Sequence, residues 1–260
     1  MTLEFRYRAP DGIRDGTAES PQELDGYDLA IPVEPPEVWC AGVTYERSRD
    51  ARVEESTVKD LYTLVYDADR PELFLKDAAC RRTVGPGEPL GVRGDSSWDV
   101  PEPEIGIVLG DGGALVGLTI GNDVSSRGIE GENPLYLPQA KVFAGACAIG
   151  PAVLIPDDWK APLEIRMRIL DTAGGELFVG ETSTARMRRS FGELVEWLLR
   201  DNPVPPGSVL LTGTGLVPPD DFTLEPGHTV EIHVPAIGTL INPVVAAADL
   251  LPTKRSEAHV

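Results

Sequence analysis

A β-rich, mixed α/β body with a small N-terminal domain is the fold class that this 260-residue sequence predicts. Three observations predict it. After Asp77 many short apolar runs alternate with Gly and Pro; one later segment carries a clear helical start, stripe and stop; and a proline-rich stretch near residue 35 separates the beginning from the rest. Residues 1–35 read as a few short strands ending in IPVEPPEV, a hinge before a main domain over 36–252, with 253–260 as a flexible tail. From Ser48 to about Val65 a helix is expected, because Ala51, Val58, Leu61, Tyr62 and Val65 recur at three- and four-residue spacing. The runs IGIVLG, ALVGLTI, AVLIP, EIRMRIL, SVLLTG, TVEIHV and TLINPVV read as strands. Ser190 and Glu193 have capping-box spacing, Phe191, Leu194, Val195 and Leu198 form the stripe behind them, and Asn202-Pro203 stops that helix. No repeat or low-complexity tract interrupts the pattern.

Charge narrows the function. Against 42 Asp and Glu stand 23 Lys and Arg, a formal charge of −19, of which only Lys59, Lys76, Lys141, Lys160 and Lys254 are lysines. That field repels phosphate backbones and anionic lipid, so no nucleic-acid or membrane partner is expected. A small anionic substrate then needs local positive charge, from a metal or from those lysines. No stretch approaches the roughly 20 apolar residues of a membrane span, and MTLEFRYRAPDG lacks the apolar core of a signal peptide, so the cytoplasm is the expected location. Cys40, Cys80 and Cys147 are odd in number and widely spaced, which fits small apolar residues better than disulfides or a zinc site.

The most informative stretch is VPEPEIGIVLGDGGALVGLTIGND, residues 100–123. Two apolar strands flank Gly110-Asp111-Gly112-Gly113, a strong hairpin signal. Glu102 and Glu104 are two apart and share one face of an extended strand. Centring the turn on Asp111–Gly112 sets Glu104 opposite Thr119 and Asp123 just past the partner of Glu102. Three carboxylates then gather at the open end of the hairpin. They do not all stay ionised at close range without a counter-charge, and a hard divalent cation such as magnesium, manganese or calcium resolves that. A solvated strand edge in an acidic chain is the competing reading.

The ordered motifs favour the metal. The ExE of PEPEIGIVLG, then GLTIGNDVSSR, a lysine 18 residues after the Asp, PPGSVLLTGTG and the EPGHTVEIHVPAIGTLINPV hairpin together resemble the fumarylacetoacetate hydrolase family over about residues 36–248. The resemblance implies a β-roll catalytic domain, homodimers or homotetramers, a divalent metal (Mg2+, with Mn2+ or Ca2+ as alternatives) and a small 2-oxo acid that chelates it. By matching position it implies Glu102, Glu104 and Asp123 as metal ligands and Lys141 as the active-site lysine. Hydrolases of the family resemble NYxxHAxE where this chain has Gly42-Val43-Thr44-Tyr45-Glu46-Arg47-Ser48, so Ser48 stands at the histidine position. A serine does not hold a proton at neutral pH as imidazole does.

A second set, GVTYERS, PELFLKD, SRGIEGENPLYLPQAK and TGTGLVPP, is similar to the branch that dehydrates 2-keto-3-deoxy sugar acids. It implies a hydro-lyase converting a 2-keto-3-deoxy-pentonate, such as the D-arabinonate, to 2,5-dioxopentanoate and water. An acylpyruvate- or fumarylpyruvate-type C–C hydrolase and an inert binding member are the alternatives. Gly128 departs from the pattern, where Asp is usual. Candidate proton-transfer groups are Lys141, Glu72 and Glu132; candidate substrate contacts are Lys76, Phe74, Ser48, Ser125, Arg127, Asn133 and Thr214. Glu72 and Lys76 at i, i+4 also fit an ordinary helix-surface pair. Glu132 and Asn133 fit an ordinary turn cluster, and the TGTG of residues 212–215 a strand-ending turn.

Overall fold

The structure, a computed structural model, describes residues 1–46 and 64–252. Its largest sheet has ten strands. Eight are neighbours in the order Gly12–Ala18, Thr2–Ala9, Cys147–Ile155, Leu115–Asp123, Pro103–Leu109, Val209–Leu211, Glu37–Gly42 and Glu72–Ala78, with Leu29–Ala30 and Thr83–Val84 attached beside the path. A five-stranded sheet runs Glu176–Ser183, Glu164–Leu170, Thr229–Val234, Gly238–Ala246, Leu90–Val92. Every apolar run expected as a strand lies within or across one of these. The segment before the proline-rich hinge joins the main sheet, because Thr2, Leu3 and Glu4 pair with Ile155, Leu154 and Val153.

The central hairpin is buried on both faces, so its strands read as continuous apolar runs rather than as an alternation. Ile105, Ile107 and Leu109 enter the large core, which also holds Leu118, Ile120, Leu154 and Leu240. Val108, on the opposite face, joins a smaller plug of Val38, Cys40, Cys147, Ile149, Val153, Val209 and Leu211. By strand alternation Glu104 shares the face of Val108. The carboxylates therefore sit at the end of an apolar plug, away from bulk water. Cys40 and Cys147 are buried as expected, whereas Cys80 is only half-buried.

The hairpin register corrects the sequence expectation. Glu104 lies opposite Gly121, and Thr119 lies opposite Gly106. The turn is longer than a two-residue one: Asp111–Gly113 forms a 3-10 turn, the Gly110 N–H donates to Ala114 O at 2.8 Å, and an irregularity lies between Leu115 and Gly117. The slip is two residues, so each side chain keeps its face. It brings Asp123 level with Glu102, whose carbonyl accepts the Asp123 N–H at 3.0 Å.

The helix expected over 48–65 falls mostly outside the described residues; residues 64–67 of the chain are described and are helical. The next residues, 68–70, are pinned. Arg189, itself buried, donates to Ala68 O and Asp69 O, and the guanidinium groups of Arg70 and Arg200 lie over the Trp197 ring at 4.6 and 3.8 Å. Trp197 belongs to the expected helix, Phe191–Leu199. There the Ser190 hydroxyl accepts from Glu193 N, and Leu194, Val195 and Leu198 are buried. The chain thus enters the Glu72–Ala78 strand from a fixed position. The stretch 127–141 is not a turn cluster. Arg127–Glu132 is a helix capped by Ser126, Pro134–Tyr136 is a 3-10 turn capped by Asn133, and Leu137–Lys141 is a helix with Pro in its first turn.

Candidate functional site

Three strands and two short helices bring functional side chains to a single recess. From the hairpin come Glu102, Glu104 and Asp123, which are 4, 1 and 1% exposed. One oxygen of each carboxylate lies within 4.8 Å of the other two. Glu104 accepts the Gly213 N–H at 2.6 Å, and its carboxyl is held well above the usual carboxylate range, first by burial and then by Asp123 and Glu102. Gly213 is required there. Its φ is +91°, and a Cβ would meet Thr44 Oγ1 at 2.0 Å. A buried, all-oxygen donor set crowded by its own charge fits a hard dication.

Cations surround the triad. Lys141 Nζ donates to Glu102 Oε2 at 3.0 Å, to Asp123 Oδ2 at 2.7 Å and to Ser125 Oγ at 2.5 Å. Lys76 Nζ stands 2.5 Å from Asp123 Oδ1 and donates to Val124 O at 2.8 Å. Arg127 holds Glu102 Oε1 through Nη2 at 3.0 Å and Nε at 3.2 Å. Each carboxylate of the triad is thus oriented by a charged or backbone donor.

The placement of Glu72, Phe74 and Lys76 overturns the helix-pair reading, since Glu72–Ala78 is a strand paired with Glu37–Gly42. Residues 72, 74 and 76 share one face, while Leu75 on the other is exposed. Glu72 and Phe74 line the recess, and the Glu72 carboxylate lies over Gly42, where a Cβ would meet Oε2 at 2.1 Å. Lys76, 0% exposed, stands behind Asp123 and is not among the lining residues. Arg127, Lys141 and Thr214 do line the recess, the Thr214 hydroxyl donating to Leu216 O at 2.9 Å. Ser125 is fully buried behind Lys141 and donates to Asp123 O at 3.0 Å.

Two candidates lie elsewhere. Glu132 is exposed, and Asn133 spends its side chain accepting the Leu135 N–H at 3.0 Å. In their place the structure puts Glu130, buried and in the recess wall, which the sequence reading missed. The signal was the spacing of Arg127 and Glu130, three residues apart on a capped helix. Val43 was also missed. It lines the recess in the left-handed region at φ 52°, costly for a β-branched residue and typical of functional sites. Ser48 lies outside the described residues. Gly128 faces Ser96 and Trp98, with the nearest atom 3.5 Å from where a Cβ would be, so the departure there does not touch the carboxylates.

Known proteins share this arrangement of sequence and fold. The sequence profile of the fumarylacetoacetate (FAA) hydrolase C-terminal family matches residues 37–245. A protein of Haloferax volcanii named "Probable 2-keto-3-deoxyxylonate dehydratase" is 55% identical over 215 residues, 82% of this chain and 74% of that one. The 2-dehydro-3-deoxy-D-arabinonate dehydratase of Saccharolobus solfataricus is 48% identical over 228 residues, 85% of this chain and 76% of that one. Among solved structures, a 2-keto-3-deoxy-D-arabinonate dehydratase complexed with magnesium and 2,5-dioxopentanoate aligns with a TM-score of 0.80 at 37% identity, covering 95% of this chain and 99% of that one.

Proposed function

The chain belongs to the fumarylacetoacetate hydrolase family, and on that premise we propose that it is a hydro-lyase that dehydrates a 2-keto-3-deoxy sugar acid to 2,5-dioxopentanoate and water. One observation of the site carries this reading: a carboxylate, Glu72, faces the acidic triad in a recess whose lining includes no imidazole among the described residues. His228 and His233, the two described histidines, are on or beside the Thr229–Val234 strand of the five-stranded sheet and are not among the lining residues. Elimination needs a base at C3 and no activated water, whereas hydrolysis needs a nucleophilic water and a group to deprotonate it.

Glu102, Glu104 and Asp123 would hold the divalent cation, magnesium in the solved relative, and it supplies Lewis acidity toward a chelating 2-oxo acid. The chain's own side chains do the rest. Lys141 spends three N–H donors on Glu102, Asp123 and Ser125, so it orients ligands and holds positive charge near the substrate carboxylate. Glu72, a carboxylate of the recess wall, serves as the base that takes a proton from C3. C4 then gives up its hydroxyl, which departs as water with one proton, and hydrogen shifts leave C5 as an aldehyde. The product is the substrate less one water, with no net oxidation. Lys76 acts through Asp123 as a positioning residue. A cytoplasmic location and a homodimeric or homotetrameric assembly belong to the same proposal, by the habit of the family.

The test offers 2-keto-3-deoxy-arabinonate, the xylonate form and an acylpyruvate to the protein with magnesium and separates products by mass. We expect a 2,5-dioxo acid from a deoxy sugar acid and negligible cleavage of the acylpyruvate. Efficient acylpyruvate cleavage with both sugar acids untouched overturns the reading in favour of a hydrolase.

A further inference from the structure

Thr44 is fully buried against the loop that holds Glu104, and no step of the elimination uses it. We propose that Thr44 is a positioning residue for the metal: its hydroxyl locks the peptide bond between Thr212 and Gly213 in the orientation that aims the Gly213 N–H at Glu104. The inference rests on reading Glu104 as a ligand of the divalent cation.

Both ends of that one peptide bond are held. The Thr44 hydroxyl donates to Thr212 O at 2.7 Å, and the Gly213 N–H donates to Glu104 Oε2 at 2.6 Å. The C=O and N–H of a trans peptide point in opposite directions, so the two bonds fix its plane from both sides and polarise each other. Upstream, Thr212 is anchored on the residue after the ligand. Its N–H and its hydroxyl donate to Ile105 O at 3.0 and 2.8 Å. Those bonds leave the next peptide free to rotate about Thr212 ψ and Gly213 φ. Gly213, at φ +91°, has no side chain to resist that rotation. Thr44 resists it instead.

The surroundings are shaped for this contact. A Cβ at residue 213 would meet Thr44 Oγ1 at 2.0 Å and Ala41 O at 2.9 Å, so glycine makes room for the hydroxyl. Thr44 is held in turn, its carbonyl accepting the Arg188 N–H at 3.0 Å. Val43, in the left-handed region at φ 52°, ends the Glu37–Gly42 strand and delivers Thr44 to the loop, which gives its backbone strain a purpose. Once the hydroxyl is gone, Thr212 O loses a buried donor, the peptide turns to find another, and the Gly213 N–H leaves Glu104. Partners that orient a ligand from behind are worth 10- to 100-fold in metal affinity.

The experiment measures the Kd of magnesium alone for the full-length protein by titration calorimetry. Thr44→Val keeps the shape and removes the donor, and Thr44→Ser keeps the hydroxyl. Thr119→Val is the control, because Thr119 is also fully buried and donates to Ala152 O at 2.9 Å, the same kind of bond made elsewhere in the sheet. The expected Kd is about 10- to 100-fold higher in Thr44→Val and within about threefold of the parent in Thr44→Ser and Thr119→Val. An unchanged Kd in Thr44→Val overturns the proposal. So does a Thr44→Ser variant as weak as Thr44→Val, which assigns the effect to packing, or an equal loss in Thr119→Val, which assigns it to general loosening of the sheet. If Thr44→Val fails to fold, Thr44→Ala decides by the same criteria. Glu104→Gln separates the two levels of the argument. A Kd unmoved by Glu104→Gln sinks the ligand reading and this inference with it; a Kd that Glu104→Gln weakens and Thr44→Val does not sinks the inference alone.

Discussion

Asp123 has a lysine at each oxygen, Lys76 at 2.5 Å and Lys141 at 2.7 Å, and both lysines are buried. Two cations on one carboxylate leave little freedom in its orientation, and Arg127 restrains Glu102 in the same way. This changes what a lysine substitution reports. Lys141→Met is expected to lower kcat by about a hundredfold, uniformly across pH, because it loosens two ligands without removing the titrating base. Glu72→Gln is expected to abolish most turnover and, in the activity that remains, to lose the acid limb of the pH–rate profile. A parent-like pH profile for Glu72→Gln, with Lys141→Met losing a limb, would return the proton-carrying role to Lys141. Glu102, Glu104, Asp123 and Lys141 were legible in the sequence because spacing and motif order both single them out. Glu130 was not. It and Glu132 are both acidic residues in one Gly-punctuated stretch, and only the helical turn decides which faces inward.

Short elements carry the site, and their ends decide its geometry. Asp99–Val100 pairs with Ser125–Ser126, the link between Asp123 and the Arg127–Glu132 helix. Asp99 is 3% exposed, and burial pushes its carboxyl up to about 6, against opposing effects of Ser96 and Arg93. A carboxyl raised in the folded state favours folding when protonated, so that contribution is complete below about 3.8 and is lost as pH rises through about 6. Asp99→Asn keeps the shape without the charge. It is expected to match the parent near pH 4 and to exceed it at pH 7 by roughly 2 kcal/mol, part of the shift being screened. Denaturant unfolding at the two pH values checks this; a variant no more stable than the parent at pH 7 would show that Asp99 is ionised without penalty. The Glu72–Ala78 strand shows why the element type matters. The sequence spacing of Glu72 and Lys76 suits a helix pair, but in a strand residues 72, 74 and 76 fall on one face, so Glu72 and Phe74 line the recess while Lys76 backs Asp123.

Across the whole molecule the balance is 42 acidic against 23 basic residues. Exposed ion pairs such as Arg6–Glu34, at 2.8 Å, are each worth at most about 1 kcal/mol and weaken with salt. Repulsion among the surplus carboxylates acts over the full surface and is screened within about 10 Å at 0.1 M salt. Repulsion wins in this sum, so the thermal midpoint is expected to rise from 0.05 to 1 M KCl, by several degrees on the usual scale for 1–2 kcal/mol. A midpoint that falls with salt would mean that the ion pairs dominate. By itself the sequence determined the β-rich class, the hairpin, the capped helix at Ser190, the acidic triad and the family, because these depend on local periodicity, local caps and ordered motifs. The tertiary structure decided the hairpin register, the attachment of the first strand to the main sheet, the placing of Lys76 behind Asp123 rather than in the recess, and Glu130 in place of Glu132. Those depend on which distant groups share a buried space. Residues 76 and 123 meet only when the sheet brings their strands together, and no spacing along the chain encodes that distance.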